Sequence, residues 1–150
     1  MKVYLAGPCD SENRTVMMKV AQTIRKHGLE LYCPFELKIE NAWDMTQEEW
    51  SQKVFKKDIE AINNCDIMIV ISLGRVSTAG TNWEQGYAYA NNIPTYVFQI
   101  TDEPTSLMTF CGCTYFMNTC KEQVVDKIND ILELSPYYYY GIKICTTTLT

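Results

Sequence analysis

The sequence alternates short apolar runs with segments whose apolar residues recur every three or four positions, and this alternation most constrains the fold. The run IMIVI at 67–71 contains no polar residue, which is typical of a strand buried on both faces of a sheet. Further runs predict strands over 3–6, 29–33 and 94–100, and a short fifth strand over 114–117. Helical patterns separate them. We therefore predict an α/β fold: a flavodoxin-like (Rossmann-like), doubly wound parallel sheet of about five strands with helices on both faces.

The helical segments divide the chain into one domain and a tail. Apolar residues at helical spacing predict helices within 16–24, 54–62 and 124–132. Another helix is predicted over 81–91, with Thr81 as its N-cap. A chain of 150 residues has the size of a single domain. We assign residues 1–134 to that domain and leave 135–150, which begins with a tyrosine-rich segment, as a C-terminal tail of unclear role.

Composition excludes several classes of protein. The chain has 13 basic and 18 acidic side chains, a net charge of −5, so it lacks the basic surface that binds nucleic acid. No apolar run approaches the ~20 residues of a membrane span, and no signal-peptide pattern precedes the first strand. Seven cysteines, an odd number, favour reduced thiols in a cytoplasmic protein. With one histidine and one close cysteine pair, we expect no metal and no cofactor.

The loops after the strands carry the candidate chemistry, because ligands bind beyond the carboxyl ends of the strands in such sheets. Gly7 and Cys9 follow the first strand, and Cys9 is expected to line the cleft. Gly80 lets backbone amides approach a ligand closely. Glu84 is expected in the first turn of a helix at this edge, where the helix dipole favours its anion. A carboxylate there can attack an anomeric carbon, although the dipole alone would also explain it.

The ordered motifs of residues 1–134 resemble the nucleoside 2-deoxyribosyltransferase family. They are VYLAGP at 3–8, Asp58, CDIM at 65–68, GTNWEQGYA at 80–88 and Pro94. The resemblance implies an enzyme that breaks the N-glycosidic bond of a 2′-deoxyribonucleoside and transfers the sugar to another base. It implies that Glu84 is the nucleophile, that a covalent glutamyl-deoxyribosyl intermediate forms, and that no cofactor takes part.

The resemblance also implies roles for two further residues. Tyr4 matches a tyrosine whose hydroxyl orients the nucleophile from the first strand. Asp66 matches an acidic residue that exchanges a proton with the base. Judged from the residues alone, Tyr4 could instead pack in the core, and Asp66 could cap the start of a strand.

One departure from the family pattern concerns the substrate. Transferases that act on free nucleosides have an aspartate that holds the sugar 5′-hydroxyl where this chain has Thr78. A related branch, which hydrolyses deoxynucleoside 5′-monophosphates, has a serine there, and a hydroxyl does not repel phosphate. Arg75, Thr78 and the amides near Gly80 could then cradle a phosphate, with the segment 13–15 nearby. Arg75 could equally be a solvated loop cation.

Three functions therefore follow in order. Deoxyribosyl transfer is the first expectation. The alternative is hydrolysis of (deoxy)nucleoside 5′-monophosphates to free base and (deoxy)ribose 5-phosphate. A non-catalytic nucleotide-binding module is the third. In all three the partner is a small nucleoside or nucleotide.

The resemblance implies an assembly as well, because the family usually completes each site with a residue from a neighbouring subunit. The corresponding segment is 106–117, in which Thr114 and Tyr115 are the candidates for substrate contact. A homodimer or a higher homo-oligomer is expected. Trp43 and Trp50 could stack on the base as lid residues, or pack in the core.

Overall fold

The computed structural model describes residues 1–134, and the predicted tail at 135–150 lies outside the described residues. One sheet of five parallel strands forms the centre. The strands are β1 (Lys2–Ala6), β2 (Glu30–Tyr32), β3 (Ile67–Ser72), β4 (Thr95–Gln99) and β5 (Tyr115–Asn118). Their spatial order, β2-β1-β3-β4-β5, is the flavodoxin-like order, and it confirms the predicted fold class.

Helices cover both faces of the sheet. They are α1 (Arg14–Lys26), α2 (Gln47–Asn64), α3 (Ala79–Ala90), α4 (Leu107–Cys111) and α5 (Val124–Leu134). Helices α1 and α5 pack together on one face, whereas α2, α3 and α4 cover the other. Within residues 1–134, no helix is both long enough and apolar enough to cross a membrane.

Alternation along β1 decides which side chains reach which face. Val3 and Leu5 belong to the core under α1 and α5, whereas Tyr4 and Ala6 belong to the core under α2 and α3. Because successive strand residues point to opposite faces, Tyr4 must lie on the α2/α3 face if Val3 and Leu5 fill the other core.

Helix α3 begins earlier than the sequence pattern predicts. Thr78 is the N-cap: it has extended backbone, and its hydroxyl accepts the Thr81 N–H at 3.3 Å. Thr81, the predicted cap, is buried inside the first turn. Glu84 consequently lies in the second turn rather than the first, where the helix dipole acts on it less.

Candidate active site

A tyrosine on β1 and a glutamate on α3 form the centre of the site. The Tyr4 hydroxyl donates a hydrogen bond to Glu84 Oε1 at 2.8 Å. Tyr4 is fully buried, which raises its pKa far above the usual range, so it stays a neutral donor. Burial, together with the charge of Asp58, raises the pKa of Glu84 to about 7, although the Tyr4 hydrogen bond opposes this rise. Glu84 is therefore available as a carboxylate near neutral pH, with Oε1 held and Oε2 without a hydrogen-bond partner among residues 1–134.

A second tyrosine–carboxylate pair lies beside the first. The Tyr32 hydroxyl on β2 donates a hydrogen bond to Asp58 Oδ1 on α2 at 2.7 Å. Burial raises the pKa of Asp58, and the Tyr32 hydrogen bond lowers it. The rings of Tyr4 and Tyr32 stack with centroids 5.4 Å apart and planes 21° apart. Asp58 and Glu84 thus approach one region from two helices, each held by a tyrosine from the sheet.

Both carboxylates open into one cleft between α2 and α3, with a volume of about 370 Å³. That volume falls within the range typical of small-molecule sites. Trp50 and Trp83 line it and are 41% and 49% exposed, so their rings are accessible to a ligand. The cleft also contacts Ser51, Val54, Phe55, Ile59, Ile62 and Gly80. Residues 1–134 contain no cluster of three or more His, Cys, Asp or Glu side chains suited to a metal.

Asp66, predicted to handle the base, does not lie in this cleft. It precedes β3 at the amino-terminal edge of the sheet, where its Oδ2 accepts the backbone N–H of Lys2 at 2.6 Å. This is the strand-start role that the residues alone left open, and it corrects the prediction. Asp58, which sequence reasoning named without a role, is the second carboxylate that lines the cleft.

A signal for Asp58 was present in the sequence. Val54, Phe55, Ile59 and Ile62 form an apolar stripe on α2, and Asp58 lies within the same stripe. A carboxylate on an otherwise apolar helical face requires a partner or a function, since its burial is otherwise unfavourable.

The predicted residues near the sugar end lie close to the start of α3. Thr78 is exposed, but its hydroxyl is shared with Thr81, 2.8 Å from Thr81 Oγ1. The Arg75 side chain is exposed and has no ion pair within residues 1–134, while its backbone N–H donates to Pro104 O at 3.0 Å. Gly80 lines the cleft with open space around it.

Gly7 and Cys9, the two candidates in the loop after β1, differ in role. A Cβ on Gly7 would lie 2.7 Å from Met17 Cε, so Gly7 permits α1 to pack against the strand end. The Cys9 residue is exposed overall, but partial burial of its thiol and the charges of Glu84 and Asp58 raise its pKa. Cys9 therefore remains a neutral thiol near the carboxylates.

Three other candidates do not reach the cleft within this chain. Thr114 accepts the Thr95 N–H at 3.1 Å at the amino-terminal start of β5. Tyr115 packs against Tyr96 and Phe98 on the α1/α5 face, opposite Glu84. Trp43 is 99% exposed and lies before α2, outside the residues that line the cleft. Parallel pairing of β5 with β4 places 114 at the amino-terminal edge and 115 on the α1/α5 face, so neither reaches the cleft of its own chain. Their predicted contact with a neighbouring subunit's site stays a prediction.

Comparison with known proteins identifies the class. A 2-deoxyribosyltransferase from Bacillus psychrosaccharolyticus superposes with a TM-score of 0.70 and 29% identity, over 84% of this chain and 91% of that chain. The Clostridium botulinum CMP N-glycosidase, BcmB, shares the fold with a TM-score of 0.62 and 16% identity, over 86% and 98% of the two chains. No curated protein matches the sequence. The chain thus has the fold of these enzymes.

The family model of the nucleoside 2-deoxyribosyltransferases matches residues 3–134. The chain belongs to this family, as its ordered motifs indicated. Its function is accordingly glycosyl transfer or cleavage on a nucleoside-type substrate.

Proposed function

We propose that the protein transfers a 2-deoxyribosyl group between bases through a covalent intermediate on Glu84. The observation that carries the proposal is the Tyr4–Glu84 hydrogen bond, which faces Asp58 across one cleft. It leaves Glu84 Oε2 to act as nucleophile, and it supplies a second carboxyl group for proton transfer. The similarity to a 2-deoxyribosyltransferase supports the same reaction.

Glu84 and Asp58 together account for the bonds and protons exchanged in both half-reactions. Oε2 of ionised Glu84 forms a bond to C1′ as the C1′–N bond breaks, and the base leaves with its electron pair and a proton from Asp58. A second base then attacks C1′, and the Glu84–C1′ ester bond breaks. That base returns a proton to Asp58, which restores the starting enzyme.

The half-buried aromatic side chains are suited to hold the base. Trp50 and Trp83 line the cleft, and the Phe55 ring meets the Trp83 ring edge-on with centroids 5.4 Å apart. Flat apolar surfaces of this kind stack on a heterocycle without selecting one base. We therefore propose that the aromatic rim binds both donor and acceptor bases.

Hydrolysis of 5′-monophosphates is the second candidate, because the Arg75 guanidinium has no partner within residues 1–134 and stands near Thr78. The loop after β1 argues against it. Asp10 Oδ1 accepts the Asn13 N–H at 2.9 Å beside the start of α1. A carboxylate already occupies this helix terminus, so a phosphate there would meet like charge.

A second copy of the chain is proposed to cover the α3–α4 face. Leu107 and Met108 are more than four-fifths exposed, and Met108 lines a groove of about 320 Å³ together with Tyr89. Residues 104–120 contain no charged side chain, which is typical of the core of an interface. Light scattering should report a dimer or larger assembly, and Leu107→Glu should weaken it. A monomer at micromolar concentration would refute this assembly.

A product assay tests the reaction. Purified protein would receive deoxyadenosine, deoxycytidine or their 5′-monophosphates, each with and without a second free base. A new nucleoside that appears only with the second base would establish transfer. Release of deoxyribose 5-phosphate from the monophosphates alone would instead establish the second candidate.

The control is a matched pair of variants. Glu84→Gln should lower turnover by roughly 10³-fold or more, whereas substitution of Glu40, an exposed loop glutamate outside the cleft, by glutamine (Glu40→Gln) should leave it intact. Turnover that survives near the wild-type rate in Glu84→Gln would place the nucleophile elsewhere.

A further inference from the structure

The Asp58 side chain has a single restraint. Within residues 1–134 its only side-chain hydrogen bond is the one at 2.7 Å from the Tyr32 hydroxyl to Oδ1. The terminal torsion of an aspartate is broad, so packing alone does not decide which oxygen faces the cleft. The contact with Tyr32 makes that choice, because it occupies Oδ1 and leaves Oδ2 for a ligand.

Tyr32 is well placed to act as a rigid support. It is the register partner of Tyr4 across β1 and β2, and the two rings stack. Its ring is only partly buried and adds to the margin of the α2/α3 core. The stacking fixes the ring, and the ring directs the hydroxyl to α2.

We propose that Tyr32 is a positioning residue that holds Asp58 Oδ1, so that Oδ2 carries the proton exchanged with the base. This inference rests on the proposed function, in which Asp58 handles that proton. Tyr32 touches neither the sugar nor the base. Its action on the reaction passes through Asp58.

The electrostatic consequence has a definite sign. The titratable groups that face Asp58 are Tyr32 from β2, Tyr4 from β1, Cys9 from the following loop and Glu84 from α3. Of these, the Tyr32 hydroxyl stabilises the ionised carboxylate and so lowers its pKa. Removal of the hydroxyl should therefore raise the pKa of Asp58. It should also release Oδ1, so that Oδ2 is no longer held in one orientation toward the base.

The experiment compares Tyr32→Phe, which keeps the stacked ring, with Tyr87→Phe. Tyr87 also donates a hydrogen bond from its hydroxyl, to Asn63 at 3.0 Å, and it does not line the cleft. Tyr32→Phe should lower kcat about tenfold, with KM nearly unchanged, as part of the effect of general acid–base catalysis. Tyr87→Phe should not change kcat.

Two further readouts separate positioning from a structural role. In an Asp58→Asn background, Tyr32→Phe should lower kcat no further, since the two residues act as a unit. Carboxyl NMR should show the Asp58 pKa rising in Tyr32→Phe. Additive losses, or an unchanged pKa, would overturn the inference. The NMR titration needs no turnover, so an inactive wild-type protein would refute the proposed function and still test this contact.

Discussion

The two faces of the sheet are built from the same strands, but one forms an apolar core and the other carries the candidate active site. Under α1 and α5, the core of this face is built largely from Val, Ile and Leu, with residues such as Val3, Leu5 and Ile69 nearly or fully buried. Under α2 and α3, the intervening residues include Tyr4, whose hydroxyl reaches a carboxylate. One face is therefore closed by apolar packing, whereas the other keeps two carboxyl groups partly out of water. The comparison indicates that stability and chemistry are divided between the layers.

The largest expected effect lies on the α2/α3 face. Glu84→Gln should lower kcat by roughly 10³-fold or more, because Glu84 supplies the proposed nucleophile and Asp58, the other carboxyl group that lines the cleft, is assigned to proton transfer. Initial rates of base exchange measure it. A decrease in kcat of less than about tenfold would show that Glu84 is not the nucleophile.

A core substitution on the α1/α5 face should lower stability and leave kcat unchanged. Ile24 is fully buried there, and Ile24→Ala should reduce the free energy of unfolding by about 3 kcal/mol through lost burial and a cavity. Chemical denaturation measures the change. The kcat well below the melting temperature should equal that of the wild type, and a parallel loss of kcat would contradict the division between faces.

Glu84 should also reduce stability as pH rises. Its pKa is about 7 in the folded state against an ordinary value of 4.5, so the folded protein retains a proton that the unfolded chain loses between those values. Stability from this group is complete below about pH 4.5 and is lost as pH passes 7. Relative to the wild type, Glu84→Gln should gain about 2 kcal/mol in unfolding free energy between pH 5 and pH 8. Equal pH dependence in both proteins would refute this.

The smallest effect concerns Tyr4. Because the pKa of Glu84 is about 7, kcat/KM of the wild type should decrease as the pH is lowered through 7. The Tyr4 hydrogen bond lowers this pKa, so its loss should raise it. In Tyr4→Phe this acid limb should move to higher pH, with about a tenfold loss at neutral pH. The pH profile of base exchange measures both, and an unmoved limb would mean that Tyr4 does not tune Glu84.

Local patterns predicted most elements, although not all their ends. The strand runs and helical stripes were sufficient for the order of elements. Helix α2 begins at Gln47, well before its apolar stripe, because Thr46 and Glu49 form a capping box. The sequence contains this capping box as the motif T-x-x-E, so the start of α2 could have been predicted.

The sequence by itself determined the alternating strand–helix fold, because strand parity and the strand-then-helix order are local properties. The pairing of Tyr4 with Glu84 was implied by the family resemblance, and the structure brings the two side chains into hydrogen-bond contact. Only the tertiary structure brings Asp58, and not Asp66, into the cleft. Asp66 adjoins a strand, yet it lies at the amino-terminal edge of the sheet. Asp58 reaches the cleft because Ile62 anchors the end of α2 in the core while the rest of the α2 stripe faces the cleft. Tyr32 likewise becomes the partner of Asp58 only through the register of β2 against β1. Register and helix orientation depend on burying surfaces that are distant in sequence, and no local spacing encodes them.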